Sequence, residues 1–118
     1  MRRGDVVFVE LPAPKGMPGH EQFVTRPAIV LQREITEAHP GTIVIIPLTS
    51  NQAALRYPGA FLVQKSDTNG LTVDSVAMTH QIRAIDRKRI QGPVGRLQSK
   101  DLRAIEMTVC DLLGLSTS

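Results

Sequence analysis

The chain has 118 residues, of which 42% are hydrophobic and 21% charged, and its formal net charge is +3. This length and composition predict one globular domain spanning residues 1–118 and exclude a mainly disordered chain. The single cysteine, Cys110, excludes an intramolecular disulfide and a cysteine-based zinc site. The three histidines lack the spacing of metal ligands. We therefore expect neither a metal nor a cofactor.

The apolar segments are short. The longest uninterrupted run, residues 43–48, cannot cross a bilayer. Near the start of the chain Glu10 interrupts the apolar run, so no signal-peptide core is present. We expect a cytoplasmic protein without membrane contact.

The first two thirds of the chain predict short strands separated by turns that contain Gly or Pro. The clearest strands are residues 5–11, 25–33 and 42–48, and weaker signals follow at 60–64, 73–78 and 82–85. Pro27 should lie at a strand start or edge, and Pro47 should bend or end the pairing of its strand, because neither has an N–H to donate. The segment 12–22 predicts a long loop and residues 67–70 a turn.

After residue 98 the apolar period becomes helical. Ser99 is the predicted N-cap and Gly114 the predicted stop. One helix face carries five apolar residues, namely Leu102, Ile105, Val109, Leu112 and Leu113. Met107 lies on the opposite face, either exposed or against a second subunit. Strands followed by one helix predict a mainly β fold, a small curved antiparallel barrel with a C-terminal α-helix.

The basic residues are unevenly distributed. Seven of the 14 lie within residues 83–103, where Asp86 and Asp101 are the acids. This pattern permits an anionic partner, although a solvated charged face also explains it. Four aromatic residues and no tryptophan argue against the stacking platform of a single-strand-binding protein.

Polar residues flank several predicted strands, and each has a purely structural alternative. Arg26 opens the second strand and is explained equally by a surface ion pair. Thr49 and Ser50 close the third strand and fit turn-forming hydroxyls. His80 lies between the last strands and fits a half-buried core histidine.

In combination, several motifs of this chain resemble the MazF/PemK (Kid) toxins of toxin–antitoxin systems, over nearly its whole length. The matching segments are Gly4-Asp5 before an apolar strand, Gly19-His20-Glu21-Gln22, Thr25-Arg26-Pro27, Pro47-Leu48-Thr49-Ser50, and the run from Val76 to Ile85. The resemblance implies an SH3-like barrel of the CcdB/PemK type acting as a homodimer. It also implies a metal-independent endoribonuclease that cuts single-stranded RNA, chiefly mRNA, and is silenced by a small antitoxin protein.

The resemblance assigns the family's catalytic arginine to Arg26, its catalytic threonine to Thr49 and its loop histidine to His20. Where relatives commonly have Asp-Gln, this chain has His80-Gln81, so His80 is a candidate acid or base in place of that carboxylate. Six further residues are expected along the RNA path: Lys15, Gln22, Ser50, Asn51, Gln81 and Arg83.

Two other functions remain open at this point. One is a CcdB-like poison of DNA gyrase, because that toxin shares the fold, and the other is an inactive SH3-like binding module. The presence of Arg26, Thr49 and His20 favours the ribonuclease over both.

Overall fold

The structure is a computed structural model, and it describes residues 1–13, 23–33 and 41–116. The described residues form seven β-strands and one α-helix, joined in part by 3-10 turns. In chain order these are β1 Asp5–Pro12, β2 Phe23–Val30, β3 Thr42–Thr49, β4 Ala60–Val63, β5 Ser75–Met78, β6 Arg83–Asp86, β7 Ile90–Arg96 and α1 Ser99–Leu113.

The strands form one antiparallel sheet in the order β4-β5-β3-β2-β1-β7, with β6 also paired to β3. Among the described residues no ladder joins β7 to β4, so the curved sheet remains open at that seam. The predicted mainly β fold with a C-terminal helix is confirmed. Six of the strands were predicted, but β7 was not, because Gly92, Pro93 and Gly95 obscure its pattern.

Hydrophobic side chains lie on both faces of the sheet because each face covers a separate core. On β1, Val6 packs with Ile105 and Val109 of α1, whereas Val7 and Val9 belong to a second cluster built from strands. A cluster supplied by strands alone requires the sheet to curl around it. This explains why the first strand is apolar at consecutive positions.

The two prolines mark the point where β2 and β3 separate. The ladder between these strands runs from Val30 to its last pair, Ala28 with Pro47. Pro47 also lies where the other neighbour of β3 changes from β6 to β5. Since proline has no N–H to donate, both positions suit a gap in pairing. The expectation for Pro47 is confirmed. Pro27 is not at the strand start, because β2 begins at Phe23, but no ladder pairs it with β3, so it lies at a local edge where the two strands part.

Helix α1 begins and ends as predicted, with corrections to its cap and its buried face. Its N-cap is Gln98 rather than Ser99, and Gly114 ends it in the left-handed conformation at φ 71°. Ile105 and Val109 are buried, but Leu112 and Leu113 are exposed. The predicted face is therefore too wide, because the sheet covers the middle of the helix and not its last turn.

A turn between β4 and β5 is held by a buried asparagine. The Asn69 side-chain oxygen Oδ1 accepts hydrogen bonds from the N–H groups of Ser66 and Leu71, each at 3.0 Å. Its Nδ2 donates to the carbonyl oxygen of Gln64 at 2.9 Å. Asn69 is fully buried, so these bonds compensate for the loss of water around its amide. The predicted turn at 67–70 is confirmed and is fixed in place.

This turn packs directly on β7 through Gly70, which has a φ of +71°. A Cβ at Gly70 would lie 2.1 Å from the carbonyl oxygen of Val94. We expect Gly70→Ala to lower the free energy of unfolding by about 2 kcal/mol or more. The new methyl group would overlap the Val94 carbonyl, and alanine would also be strained at a positive φ. Urea-induced unfolding of the variant and the parent measures this difference in free energy.

Gly41→Ala is the matched control for this substitution. A Cβ at Gly41 meets no described atom within 4 Å. The urea concentration at the unfolding midpoint of Gly41→Ala should stay near that of the parent. Equal stability of the Gly70 variant and the parent would contradict the fixed contact between the turn and β7.

Candidate active site

A cleft of about 480 Å³ lies where β2 and β3 separate. Its walls come from β1, from the start of β2, from the end of β3 and from the turn before β5. The described lining residues are Phe8, Thr25, Arg26, Pro27, Leu48, Thr49, Ser50, Asn51, Gly70, Leu71, Thr72, Val73, Ser75 and Val94. This size is within the range of small-molecule sites.

Arg26 and Thr49 are brought together by the register of the sheet. The last β2–β3 pair is Ala28 with Pro47, and two residues further along each strand come Arg26 and Thr49. Both side chains line the cleft. Because the ladder has ended, the space between them is open to a ligand instead of being closed by backbone hydrogen bonds.

The guanidinium of Arg26 makes no ion pair or hydrogen bond with any residue that the structure describes. Arg96, by contrast, pairs with Asp5 at 2.7 Å. The surface-pair alternative for Arg26 therefore finds no carboxylate among the described residues. A half-buried arginine in a cleft, with none of its five donors used by a described residue, is suited to a phosphate or carboxylate of a ligand.

Thr49 has one hydrogen bond that orients its hydroxyl. The N–H of Asn51 donates to Thr49 Oγ1 at 3.2 Å. Asn51 Oδ1 in turn accepts from Ala53 N–H at 3.1 Å and caps the 3-10 helix Gln52–Arg56. The hydroxyl proton of Thr49 is left to donate to a ligand oxygen. Thr49 thus forms its local turn and still has a donor for the cleft.

The structure brings Ser50 and Asn51 to the same cleft, as predicted for residues along a ligand path. It also adds lining residues that the sequence analysis missed. Phe8 belongs to the predicted first strand at residues 5–11, and the segment from Gly70 to Ser75 to the predicted turn and strand that follow, without a role in binding. Strict alternation along β1 was the available signal for Phe8, because Val7 and Val9 occupy the other face.

His80 is not among the described residues that line the cleft. It belongs to the 3-10 helix Thr79–Gln81, and its ring is 4.9 Å from that of Tyr57, at a tilt of 34°. Its Nδ1 and the Thr79 Oγ1 are buried with no hydrogen-bond partner among the described residues. This location agrees with the half-buried packing alternative.

Tyr57 also contacts a cation. Its hydroxyl accepts a hydrogen bond from Arg56 at 2.9 Å, and this bond raises the pKa of the Arg56 guanidinium. The contact lies on the exposed surface beside His80, and neither Arg56 nor Tyr57 is among the described lining residues of the cleft. It therefore adds no charge to the space between Arg26 and Thr49.

Two other predicted residues are also outside the described lining. Gln81 is exposed on its 3-10 helix, and Arg83 is exposed on β6 opposite Ile45. Lys15, His20 and Gln22 lie outside the described residues, as does most of the predicted loop at 12–22. The cleft as described therefore holds Arg26, Thr49, Ser50 and Asn51 of the predicted set.

No cluster of three His, Cys, Asp or Glu side chains within 1–13, 23–33 and 41–116 is arranged to hold a metal ion. In the same part of the chain, no helix is both long and apolar enough to span a membrane.

Comparison with known proteins gives one consistent family. Residues 2–113 match the family model of the PemK-like, MazF-like toxin of type II toxin–antitoxin systems. Endoribonuclease MazF9 of Mycobacterium tuberculosis is 34% identical over 111 residues, which cover 90% of each chain. Endoribonuclease MazF of Staphylococcus saprophyticus is 28% identical over 117 residues, covering 99% of this chain and 94% of that protein.

Solved structures agree with these sequence matches. A crystal structure of MazE–MazF from Deinococcus radiodurans superposes with a TM-score of 0.73 and 27% identity. The match covers 98% of this chain and 97% of that one.

Proposed function

The chain belongs to the PemK-like, MazF-like toxin family of type II toxin–antitoxin systems, and on this premise we propose that it is an endoribonuclease cutting single-stranded RNA, chiefly mRNA. The observation that carries the proposal is the cleft shared by Arg26 and Thr49, in which Arg26 has no described protein partner. RNA supplies an anionic phosphate for Arg26 and an acceptor oxygen for the Thr49 hydroxyl. A cleft with this chemistry also disfavours an inactive binding module.

The proposed reaction uses the RNA's own 2′-hydroxyl. A base removes the 2′ proton, the 2′ oxygen forms a bond to phosphorus, and the bond from phosphorus to the 5′ oxygen breaks. An acid then gives a proton to the leaving 5′ oxygen. The products are a 2′,3′-cyclic phosphate and a 5′-hydroxyl, and the sequence of steps uses no metal or cofactor.

Arg26 and Thr49 serve the phosphate in this reaction. The planar guanidinium holds two phosphate oxygens and stabilises the extra negative charge that develops on the pentavalent phosphorus. The Thr49 hydroxyl donates to a non-bridging oxygen, its orientation fixed by Asn51 N–H at 3.2 Å. We assign the protonation of the leaving oxygen to His20, because an imidazole side chain can act as a general acid and this one lies on a predicted loop.

The remaining predicted contacts to RNA fall into two groups. Ser50 and Asn51 line the cleft and are assigned to the nucleotides beside the cut. Lys15, Gln22, Gln81 and Arg83 are assigned to more distant parts of the strand. An enzyme that cuts mRNA acts where mRNA is, so we propose the cytoplasm as its location.

Substitution of Arg26 tests the proposal directly. Arg26→Ala should lower kcat/KM for cleavage by a factor of about a hundred or more, the scale for losing one contact to transition-state charge. Its melting temperature should hardly change, because the side chain has no ion pair to lose among the described residues. The assay is cutting of a long mixed-sequence transcript in the presence of a chelator, with the product ends identified.

Arg2→Ala is the matched control, since Arg2 is exposed and outside the described lining of the cleft. It should cut at the parental rate. Parental activity of the Arg26 variant would remove Arg26 from the mechanism. Failure of the parent to cut any RNA, together with inhibition of DNA gyrase, would favour the CcdB-like alternative.

The location of His80 predicts its effect on activity. Because His80 packs on Tyr57 outside the described lining, His80→Ala should keep near-parental kcat/KM and an unchanged acid limb of the pH profile. His20→Ala should lose the alkaline limb, since a general acid must be protonated to act. The measurement is kcat/KM against pH on one short RNA.

If His80→Ala lost the acid limb of the pH profile, His80 would be the general base that removes the 2′ proton. In that case His80→Asp should keep its activity to lower pH, because a carboxylate ionises at a lower pH than an imidazole.

An apolar surface beside α1 is the proposed homodimer interface. It forms a second cavity of about 520 Å³, lined by Pro58, Gly59, Met107, Thr108, Asp111, Leu112 and Leu115. Met107 is 60% exposed, and Leu112, Leu113 and Leu115 are exposed as well. Apolar residues clustered in this way mark an interaction surface. A symmetric dimer would bury the same patch on both copies.

Met107→Glu should convert the dimer to a monomer, because pairing would bury two carboxylates in an apolar contact. Gln64→Glu makes the same charge change at an exposed residue outside this surface and should leave the dimer intact. Light scattering at micromolar concentration measures the mass. A parent protein that is monomeric there would contradict the proposed interface.

We also propose that a small antitoxin silences the enzyme by covering the cleft. The Deinococcus radiodurans crystal structure holds MazE together with MazF. Arg26 would attract an acidic segment of the antitoxin, as it would attract phosphate. A disordered acidic tail could cover the cleft and become ordered on binding.

A further inference from the structure

Phe8 is exposed in the middle of a buried strand. It is 43% exposed, whereas Val7 and Val9 on either side of it are 3% and 0% exposed. Val6, two residues earlier and on the same face, packs in the core beneath α1. Phe8 lies beyond the end of that core and lines the cleft of Arg26. The fold therefore leaves a large aromatic ring uncovered inside its candidate active site.

The neighbouring strands leave room beside this ring. Phe8 pairs with Pro27 on β2 and with Gly92 on β7. Gly92 has no side chain, and a Cβ there would meet no described atom within 4 Å. The side of Phe8 towards β7 is therefore not covered by its cross-strand partner.

A second exposed apolar side chain lies in the same cleft. Among its described lining residues, Val73 and Phe8 are the large apolar side chains that are exposed, at 49% and 43%. Val73 follows the turn that Asn69 and Gly70 fix against β7. A flat apolar group that enters the cleft would meet an aromatic ring on the sheet and a rigid turn beside it.

The polar lining indicates which flat group this is. Arg26, whose register partner on β1 is Val9, lines the same cleft as Phe8. A nucleotide carries both a flat base and an anionic phosphate, and this cleft is lined by an exposed ring and by an arginine that has no ion-pair partner among the described residues. An apolar protein side chain would match the ring but would leave Arg26 without a counter-ion.

We propose that Phe8 is the base-stacking residue of the cleft, on which a base of single-stranded RNA lies while Arg26 holds an adjoining phosphate. The inference rests on the proposed function and adds a subsite to it. Stacking on one aromatic ring accepts any base, since every base has a π face. Four aromatic residues are too few for an extended platform, but one ring at the cut is enough to fix a nucleotide there.

Phe8→Trp provides a direct probe, because the chain has no tryptophan of its own. The new indole would be the sole indole in the protein, and a base stacked on it quenches its fluorescence. The ligand is a mixed-sequence single-stranded DNA oligonucleotide, which lacks the 2′-hydroxyl and so is not cut. We expect this oligonucleotide to quench the indole, and an abasic oligonucleotide with the same number of phosphates to leave it unchanged.

Phe8→Leu tests the ring itself while keeping an apolar side chain of similar size. We expect it to weaken binding of the base-bearing oligonucleotide roughly tenfold, the scale for losing one stacked base. Binding of the abasic oligonucleotide should not change, and Phe8→Tyr should bind like the parent. Fluorescence polarisation measures the affinities, and circular dichroism confirms that each variant is folded.

Two outcomes would overturn the inference: equal quenching by the two oligonucleotides, or parental affinity of a folded Phe8→Leu for the base-bearing one. The second would leave the ring free for a protein segment. Failure here is distinguishable from failure of the proposed function. A parent that cuts RNA while Phe8→Leu binds normally keeps the function and loses the stacking role. A parent that binds bases through Phe8 but cuts no RNA loses the function alone.

Discussion

The separation of β2 from β3 is the constraint on which the site depends. Their ladder ends at Ala28 and Pro47, and prolines at 27 and 47 have no N–H with which to extend it. If pairing continued for two more residues, backbone hydrogen bonds would draw Arg26 and Thr49 together and no ligand could enter between them. The cleft is therefore a consequence of where the β2–β3 pairing stops. Pro27 directly follows Arg26, and Pro47 lies two residues before Thr49.

The rest of the fold holds this opening at a fixed width. Helix α1 covers one face of the sheet through Ile105 and Val109, while the curled strands enclose the second core by themselves. The turn at Asn69 adds a wall that cannot shift easily, because Gly70 already touches the backbone of β7. A site built on strands and a packed turn keeps its donors close to a phosphate without reorganisation, which is what stabilisation of developing charge requires.

Charge and exposed apolar surface are divided between two regions. The cleft combines hydroxyl donors and one open aromatic ring with a guanidinium that has no ion pair in the described part of the chain, and such a mixture suits a nucleotide. The surface at the end of α1 is mainly aliphatic and suits a second copy of the chain. Neither His80 nor Tyr57 is among the described lining residues of the cleft, so the replacement of the usual carboxylate by histidine at position 80 occurs outside that lining.

The sequence by itself determined six of the strands, the helix and the turn at 67–70, since periodicity and turn residues are written in neighbouring positions. Its motifs also made Arg26 and Thr49 candidate site residues through the family resemblance. It missed β7, whose glycines and proline hide a strand that forms because β1 offers it an edge. The helical pattern placed Leu112 and Leu113 on the buried face, but both are exposed, because their burial depends on how far the sheet extends beneath the helix. The sequence could not distinguish Phe8 from its buried neighbours, because a strand's pattern tells which face a side chain takes and not what covers that face. Only the tertiary structure decided that the core ends before Phe8 and that the ring opens into the cleft.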